Sequence, residues 1–152
     1  MEYEIAQVTW ASGKREFVSH FLLTVMSGRP KMKEYFRLPG VPDDQLSQTS
    51  LFQTHVGNFT GVIGAIVSGL SRPDLIKKKA HTMGRRHRSF PEVKMNANNW
   101  QIMLDSFLTS LATYHVTATD IGTIQAAWGK LMLHFFSEFH WAYYAVNVIP
   151  SK

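Results

Sequence analysis

Histidine is the residue type in this chain with the widest choice of chemistry. The sequence has seven histidines and no cysteine, which excludes disulfides, iron–sulfur clusters and zinc sites built from thiolates. Any metal must therefore be held by imidazoles or carboxylates. A lone histidine on an apolar helix face is more often a core residue with one hydrogen bond than a ligand, so position must separate the candidates.

Two histidines, His55 and His87, are distinguished by the helical stripes on which they fall. His87 follows Ile76, Ala80 and Met83 at the steps of three and four residues that define one face of a helix. His55 lies on the apolar face of the preceding helix. The two imidazoles could therefore face each other across a pocket.

The other histidines are less suited to metal binding. His81 shares a stripe with charged residues, among them Asp74 and Arg85, and is predicted to face solvent. The remaining ones have no partner at ligand spacing, and they are His20, His115, His134 and His140. We expect none of these to bind a metal.

The elements that carry these residues are predicted to be all-α, because apolar positions recur with helical spacing and alternating strand-like runs are scarce. A long helix is expected from about Thr49 to a break at residues 71–73, where the next helix begins. On this long helix Gly57, Gly61 and Gly64 form a second face, on which another helix could cross closely.

Turn-forming residues delimit the other helices. A first helix is expected to break at Ser12-Gly13, Gly28 ends the second, and Pro30 opens a short third helix. The segments RLPGVPDDQ and SFPEVKMNANN are predicted to be irregular loops. Thr117-Ala118-Thr119-Asp120 resembles a capping box at the start of the last helix.

Length and composition predict a single domain. A chain of 152 residues with 45% apolar residues can build one core, and no linker or repeat divides residues 1–152. No apolar run approaches the roughly 20 residues of a membrane-spanning helix, and the first residues lack a signal-peptide pattern. We therefore expect no transmembrane segment in this chain and a cytoplasmic location.

The net charge of +5 is concentrated in the segment LIKKKAHTMGRRHRSF. A basic patch can attract nucleic acid, anionic lipid or a negatively charged cofactor, and charge alone does not choose among them. A small nucleic-acid-binding module is thus one alternative function. However, the basic residues share the helix of the apolar-striped His87 and no recognition-helix motif is evident, so no nucleic-acid partner is expected.

Three segments, FVSHFLLTVMSGRPKMKEYF, HVGNFTGVIGAIV and MGRRHRSF, resemble consecutive blocks of a globin, and the resemblance covers nearly the whole chain. MGRRHR and AAWGKL are similar to segments of neuroglobin-like chains and of many nematode globins. Phe17, Pro30 and Phe36 match family positions. The resemblance implies a globin fold over residues 1–152, with helices packed around a haem pocket, His87 as the proximal iron ligand and His55 as the distal histidine.

Carried over residue by residue, the same resemblance implies which side chains line the haem pocket. They are Leu22, Phe36, Phe59, Val62, Met83, Val93, Trp100 and Met103. The cofactor would be haem b bound without covalent links, since the chain has no cysteine for thioethers. Arg85, Arg86 and Arg88 flank the proximal histidine, and each could pair with a haem propionate or belong to a solvated basic surface.

Two positions depart from an oxygen-storage pocket. Phe59 lies one turn beyond His55, where oxygen-storing globins more often have a small branched aliphatic residue, and Leu22 offers no hydroxyl. His55 is then the only polar distal group and can bind the iron itself, as in neuroglobin-like members of the family. We predict a six-coordinate iron with two histidines and a role in redox sensing or electron transfer with a redox partner.

The alternative is an oxygen-binding globin for storage, transport or gas sensing, with O2, CO or NO as ligands. No catalytic residue is assigned and the chain is not expected to be an enzyme, because peroxidase-like or nitric-oxide-consuming chemistry would benefit from a polar distal network and only His55 supplies one. The abrupt start of the first helix would suit a globin domain excised from a longer protein.

Overall fold

The computed structural model describes residues 14–90, 96–114 and 121–144, together with Ala6 and Trp10. Within these residues the secondary structure is helical and contains no strand, which confirms the all-α prediction. The α-helices are α1 (Lys14–Met26), α2 (Pro30–Tyr35), α3 (Ser50–Ser68), α4 (Pro73–His87), α5 (Ala97–Tyr114) and α6 (Ile121–Tyr144), and a 3-10 helix covers Asp43–Gln48. The predicted break at Ser12-Gly13 and the predicted capping box at 117–120 lie outside the described residues.

The helix boundaries follow the predicted turn residues. Gly28 has a φ of +70°, a left-handed conformation that favours glycine, and it ends α1. Proline occupies the first turn of both α2 and α4, where its missing N–H costs nothing. Thr49 caps α3, since its hydroxyl oxygen accepts a hydrogen bond of 3.2 Å from the backbone N–H of Phe52.

The segment RLPGVPDDQ is only partly irregular, because the 3-10 helix begins at Asp43. Asp43 holds this helix against the end of α1 by accepting a hydrogen bond of 3.1 Å from the backbone N–H of Gly28. It also pairs with Lys33 of α2, and the hydrogen bond from Lys33 lowers the pKa of the Asp43 carboxyl. The prediction of a loop over the whole segment was wrong at its last three residues, since the contacts of Asp43 come from distant residues.

The helices pack as two groups that meet through α5. Helix α1 packs on α3 and α5, whereas the most extensive packing in the described chain joins α4 to α6. Edge-on aromatic contacts of Phe107 on α5 with Phe17 and Phe21 on α1, at ring centroid distances of 5.2 and 5.4 Å, connect the centre of the core. Consequently α3 and α4, although consecutive in the chain, are held by different partners.

Close helix crossing occurs at a different glycine from those predicted. A Cβ atom built at Gly61 would meet nothing within 4 Å, and one at Gly57 or Gly64 would meet only side chains at 3.5 Å or more. At Gly84 of α4, by contrast, a Cβ atom would lie 2.3 Å from the carbonyl oxygen of Phe139 on α6. The glycine that permits close approach is therefore Gly84, because its backbone lies directly against that of α6.

Candidate functional site

His87 is the last residue of α4, and its hydrogen bonding leaves one ring nitrogen available to a ligand. Its Nδ1 lies 2.9 Å from the carbonyl oxygen of Met83, one turn earlier. A carbonyl can only accept, so Nδ1 carries the proton and Nε2 carries the lone pair. A histidine that ligates a metal characteristically donates its other ring N–H in this way.

The surroundings of His87 keep its imidazole neutral. Burial lowers the pKa of His87, and the positive charge of Arg86 acts in the same direction, against the opposing effect of the hydrogen bond to Met83. Two aromatic rings contact the imidazole, Phe139 at a centroid distance of 5.0 Å and Phe90 at 5.9 Å. We call His87, Phe90, Phe139 and Trp100 the proximal group, since Trp100 packs on Phe139 at 5.0 Å.

His55 lies in the second turn of α3 and is half-buried. Its Nε2 is 2.8 Å from the carbonyl oxygen of Phe36, so in this arrangement Nε2 carries the proton and donates. The ring of Phe36 contacts that of His55 at 5.1 Å and that of Phe59 at 6.1 Å. These three residues form the distal group.

Arg37, the residue after Phe36 of the distal group, contacts the proximal group. Arg37 follows Phe36 in the chain and has a φ of +62°, unusual for a residue other than glycine. This conformation carries its guanidinium to 5.5 Å from the ring centre of Phe90 in the proximal group. The chain segment just after Phe36 therefore reaches the proximal group, while α3 and α4 do not pack extensively on each other.

The other residues predicted to line a pocket differ in burial. Leu22 is fully buried, with 0% of its surface exposed, so it presents no accessible surface to a space between helices. The remaining members that the structure describes are only partly buried against the core, and they are Phe36, Phe59, Val62, Met83, Trp100 and Met103. Val93 lies outside the described residues.

The prediction that His81 faces solvent was wrong. Its side chain is only 17% exposed, and its Nε2 lies 2.6 Å from a carboxylate oxygen of Glu138 on α6. The ring also lies against Trp141, with a centroid distance of 4.9 Å. On this stripe of α4 His81 packs against α6 whereas Asp74 and Arg85 are exposed, a difference that the spacing within α4 could not reveal.

Two buried polar atoms have no hydrogen-bond partner among the described residues. They are Nη1 of Arg88, which follows His87 directly, and Nε1 of Trp100, which belongs to the proximal group. Both atoms are donors, and a buried donor without an acceptor is costly. Sequence analysis did not distinguish Arg88 from Arg85 and Arg86, but these two side chains are exposed whereas Arg88 is half-buried.

Sequence analysis also missed Phe139 and Phe90 as neighbours of His87. Phe139 could have been found on the buried stripe of α6, where it follows Phe135 at a helical step.

The described residues contain no group of three or more His, Asp or Glu able to hold a metal ion together. None of the described helices is sufficiently long and apolar to cross a membrane.

Comparison with known proteins agrees with the predicted family. A sequence profile for the family described as Globin matches residues 19–139. The fold is similar to that of a hexacoordinated heme protein from an anhydrobiotic tardigrade, with a TM-score of 0.79 and 15% identity over 91% of this chain and 88% of that one. It is also similar to the globin-like protein Glb-12 from C. elegans, with a TM-score of 0.77 and 16% identity over 93% and 86% of the two chains. No curated protein matches the chain.

The profile match spans most of the chain, and this chain therefore belongs to the globin family.

Proposed function

We propose that this chain, as one globin domain over residues 1–152, binds one haem b between α3 and α4 with His87 as the proximal ligand. The observation that carries the proposal is the hydrogen bond from Nδ1 of His87 to the Met83 carbonyl, which leaves the Nε2 lone pair for iron. The low pKa of His87 keeps that lone pair unprotonated near neutral pH. When bound, haem supplies an iron that can change oxidation state and bind small ligands.

The residues in this region fit a haem. Haem has a flat apolar body and two carboxylates, so it requires both apolar walls and hydrogen-bond donors. Partly buried apolar side chains such as Val62, Met83 and Met103 supply the walls, and the unpaired donors of Arg88 and Trp100 supply what a carboxylate would accept. A haem also needs no cluster of metal-binding side chains, because one or two histidines suffice.

For the distal side we propose that His55 is the second iron ligand and that the protein acts in redox sensing or electron transfer. Phe59 supports this, because it occupies the distal group beside His55 and leaves less room for an external ligand. To present its Nε2 lone pair, His55 must release the Phe36 carbonyl and carry its proton on Nδ1. The lost hydrogen bond costs about 0.5–1.5 kcal/mol, which an iron–imidazole bond can offset. The fold similarity to a protein named as hexacoordinated also favours this state.

The second candidate function is the binding of O2, CO or NO for storage, transport or gas sensing. One observation favours it: Nε2 of His55 is a donor in this structure, 2.8 Å from the carbonyl oxygen of Phe36. With that tautomer His55 would stabilise a bound ligand by donating to it and would leave the sixth site open. The two functions therefore differ in the tautomer and position of a single imidazole.

We expect the haem to be removable, because the chain has no cysteine to form thioether links. Extraction of the purified pigment with acidified organic solvent should transfer all visible absorbance to the organic phase. The measurement is the absorbance of both phases together with the mass of the polypeptide, which should equal that of the unmodified chain. Absorbance that stays with the polypeptide would contradict the assignment of haem b.

The experiment that separates the two functions compares wild type with His55→Ala and Phe59→Val. If His55 binds the iron, the ferrous wild type should show sharp low-spin bands without added ligand, and His55→Ala should be high-spin. Carbon monoxide should bind His55→Ala about 10-fold or more faster, because only the fraction of protein with a free sixth site can accept it. Phe59→Val should remain low-spin and yet bind carbon monoxide faster, since only the crowding is relieved.

His134→Ala serves as the matched control, because His134 is an exposed histidine on α6, and its spectrum should be that of wild type. A five-coordinate, high-spin ferrous wild type with stable oxygen binding in air would contradict the two-histidine proposal and support the second candidate. It would leave His87 as the proximal ligand. Loss of His55 should then weaken oxygen binding by the ~1.5–3 kcal/mol of a hydrogen bond to a charged acceptor.

A further inference from the structure

The large apolar side chains that the described chain exposes belong to two helices that pack on each other. They are Leu75 of α4, which is 42% exposed, and Leu133, Trp141 and Tyr144 of α6, which are 54%, 61% and 56% exposed. Single exposed apolar residues are ordinary on a protein surface, but a group of them on one face marks a site of interaction. The pair of helices α4 and α6 is therefore a candidate interaction surface.

The outward side of α6 is one continuous face. Six exposed residues of this helix recur at steps of three and four and so share that side, and we call them the α6 face: Leu133, His134, Ser137, His140, Trp141 and Tyr144. The rings of His140 and Tyr144 contact each other at a centroid distance of 4.6 Å. Glu138, the carboxylate within this stretch, is turned to α4, where it pairs with His81 at 2.6 Å. The α6 face thus combines apolar and aromatic groups and has no negative charge.

Basic side chains of α4 border the α6 face. The ring of Trp141 lies 4.9 Å from that of His81 on α4, between ring centroids. Lys78 and Arg85 lie on the same side of α4, three residues before His81 and four residues after it, and both are exposed. Asp74 is the acidic residue on this side, so the charge beside Trp141 is net positive.

We propose that the α6 face and the neighbouring basic residues of α4 bind the surface of a membrane that contains anionic phospholipids. Tryptophan and tyrosine favour the level of the lipid headgroups, where the ring is in apolar surroundings and its polar atom stays hydrated. Leu133 enters the boundary of the acyl chains, while Lys78 and Arg85 pair with lipid phosphates. Binding of this kind is peripheral and requires no spanning helix.

Charge and apolarity together favour a membrane over the other partners of such a face. A second copy of this chain would bring two basic helices together in a protein with a net charge of +5, and like charges oppose that approach. A nucleic acid would neutralise Lys78 and Arg85 but would offer no apolar layer to Leu133. An anionic membrane offers negative charge and an apolar layer at the same surface.

The first test is sedimentation of the purified protein with vesicles, either of phosphatidylcholine alone or of phosphatidylcholine mixed with phosphatidylserine. The protein should sediment only with the mixed vesicles, and the bound fraction should fall as salt is raised, because salt screens the charged surface. Lys78→Glu should weaken binding about 10-fold. Leu133→Ser should also weaken it about 10-fold, since the apolar contact is lost.

Lys31→Glu is the matched control for charge. It makes the same change in net charge at an exposed position of α2, a helix that packs on α1, and its binding should stay within about twofold of wild type. Equal weakening by Lys31→Glu and Lys78→Glu would overturn the proposal, because net charge and not this surface would then determine binding. Absence of sedimentation with the mixed vesicles at low salt would overturn it as well.

A nitroxide label tests whether the α6 face itself meets the lipid. Because the chain has no cysteine, Ser137→Cys on the α6 face and Ser50→Cys at the start of α3 each create a single labelling site, and both serines are exposed. With mixed vesicles, the label at position 137 should become less accessible to a water-soluble nickel complex and more accessible to oxygen, which dissolves well in lipid. The label at position 50 should not change.

The same label identifies the other partners, and each of these results would overturn the proposal. Shielding of position 137 from nickel that grows with protein concentration, without vesicles, would assign the α6 face to a second copy of the chain. Shielding by a single-stranded oligonucleotide at lower concentration than by mixed vesicles would assign it to nucleic acid. Vesicle binding that leaves position 137 as accessible as before would place the lipid contact elsewhere on the protein.

Discussion

His87→Ala is expected to lose haem or to hold it only through another ligand, with a changed optical spectrum. Removal of groups that merely orient a metal ligand typically costs about 10–100-fold in affinity, so removal of the ligand should cost more. The reason is geometric: Nε2 of His87 is the nitrogen with a free lone pair on the stripe of α4, while Nδ1 is engaged by Met83. The measurement is the absorbance spectrum after reconstitution with one equivalent of haem, together with the rate of haem transfer to a scavenging apoprotein.

His81→Ala is the control for this prediction, and its spectrum should match wild type. His81 lies on the same helix but its Nε2 is occupied by Glu138 at 2.6 Å, so the substitution removes an interhelical contact and no iron ligand. A second variant, His87→Gly with added imidazole, separates ligand loss from misfolding, because free imidazole should restore the spectrum only if the fold is intact. An unchanged spectrum in His87→Ala, or haem loss in His81→Ala, would mean that the ligand is assigned to the wrong face of α4.

Gly84→Ala should destabilise the protein and weaken haem binding together. The added Cβ would lie 2.3 Å from the carbonyl oxygen of Phe139, 3.0 Å from Cβ of Ala142 and 3.1 Å from the backbone nitrogen of Tyr143. Two of these atoms belong to the backbone of α6 and cannot turn aside, so α4 must move away from α6. Overpacking of this kind costs about 1–3 kcal/mol, occasionally more. Because Gly84 lies one turn before His87, the shift also displaces the proposed ligand.

Two variants test whether the contact with the backbone is the cause. Gly129→Ala on α6 is the control, because a Cβ atom there meets nothing within 4 Å, and it should stabilise the helix by about 0.5–1 kcal/mol. Ala142→Gly combined with Gly84→Ala should not restore stability, since the Phe139 carbonyl remains. The measurement is urea unfolding of the haem-free protein, followed by haem release rates. A Gly84→Ala protein as stable as Gly129→Ala would show that the helices are not in close contact.

The candidate site could be predicted in part because some of its properties are local. The stripe that carries Met83 and His87 depends only on the spacing of residues within one helix, and the structure places His87 at the end of that helix. The hydrogen bond between them is also local, since it joins residues one turn apart. His81 shows where such reasoning stops, because its surroundings depend on Glu138 and Trp141, more than fifty positions away in the chain.

The glycines show the same limit. Gly57, Gly61 and Gly64 form a regular pattern that is typical of close helix crossing. A Cβ atom added at any of them, however, would meet only side chains or nothing within 4 Å. Gly84 has no such pattern around it, and yet a Cβ atom at this position would clash with the backbone of α6. Spacing identifies a face on which a helix could approach, but the approach itself is decided by the packing of the other helices.

The sequence by itself determined the helical class, the order and turn residues of the described helices and the globin resemblance, and it predicts His55 and His87 as the iron ligands. These depend on periodicity, on turn chemistry and on short motifs, which act over a few residues. Only the tertiary structure decided that Arg88 is the arginine with a buried, unpaired donor, that His81 pairs with Glu138, and that His55 donates to Phe36. Each of these depends on the side chains and backbone that distant segments bring to the same place, and no local spacing contains that information.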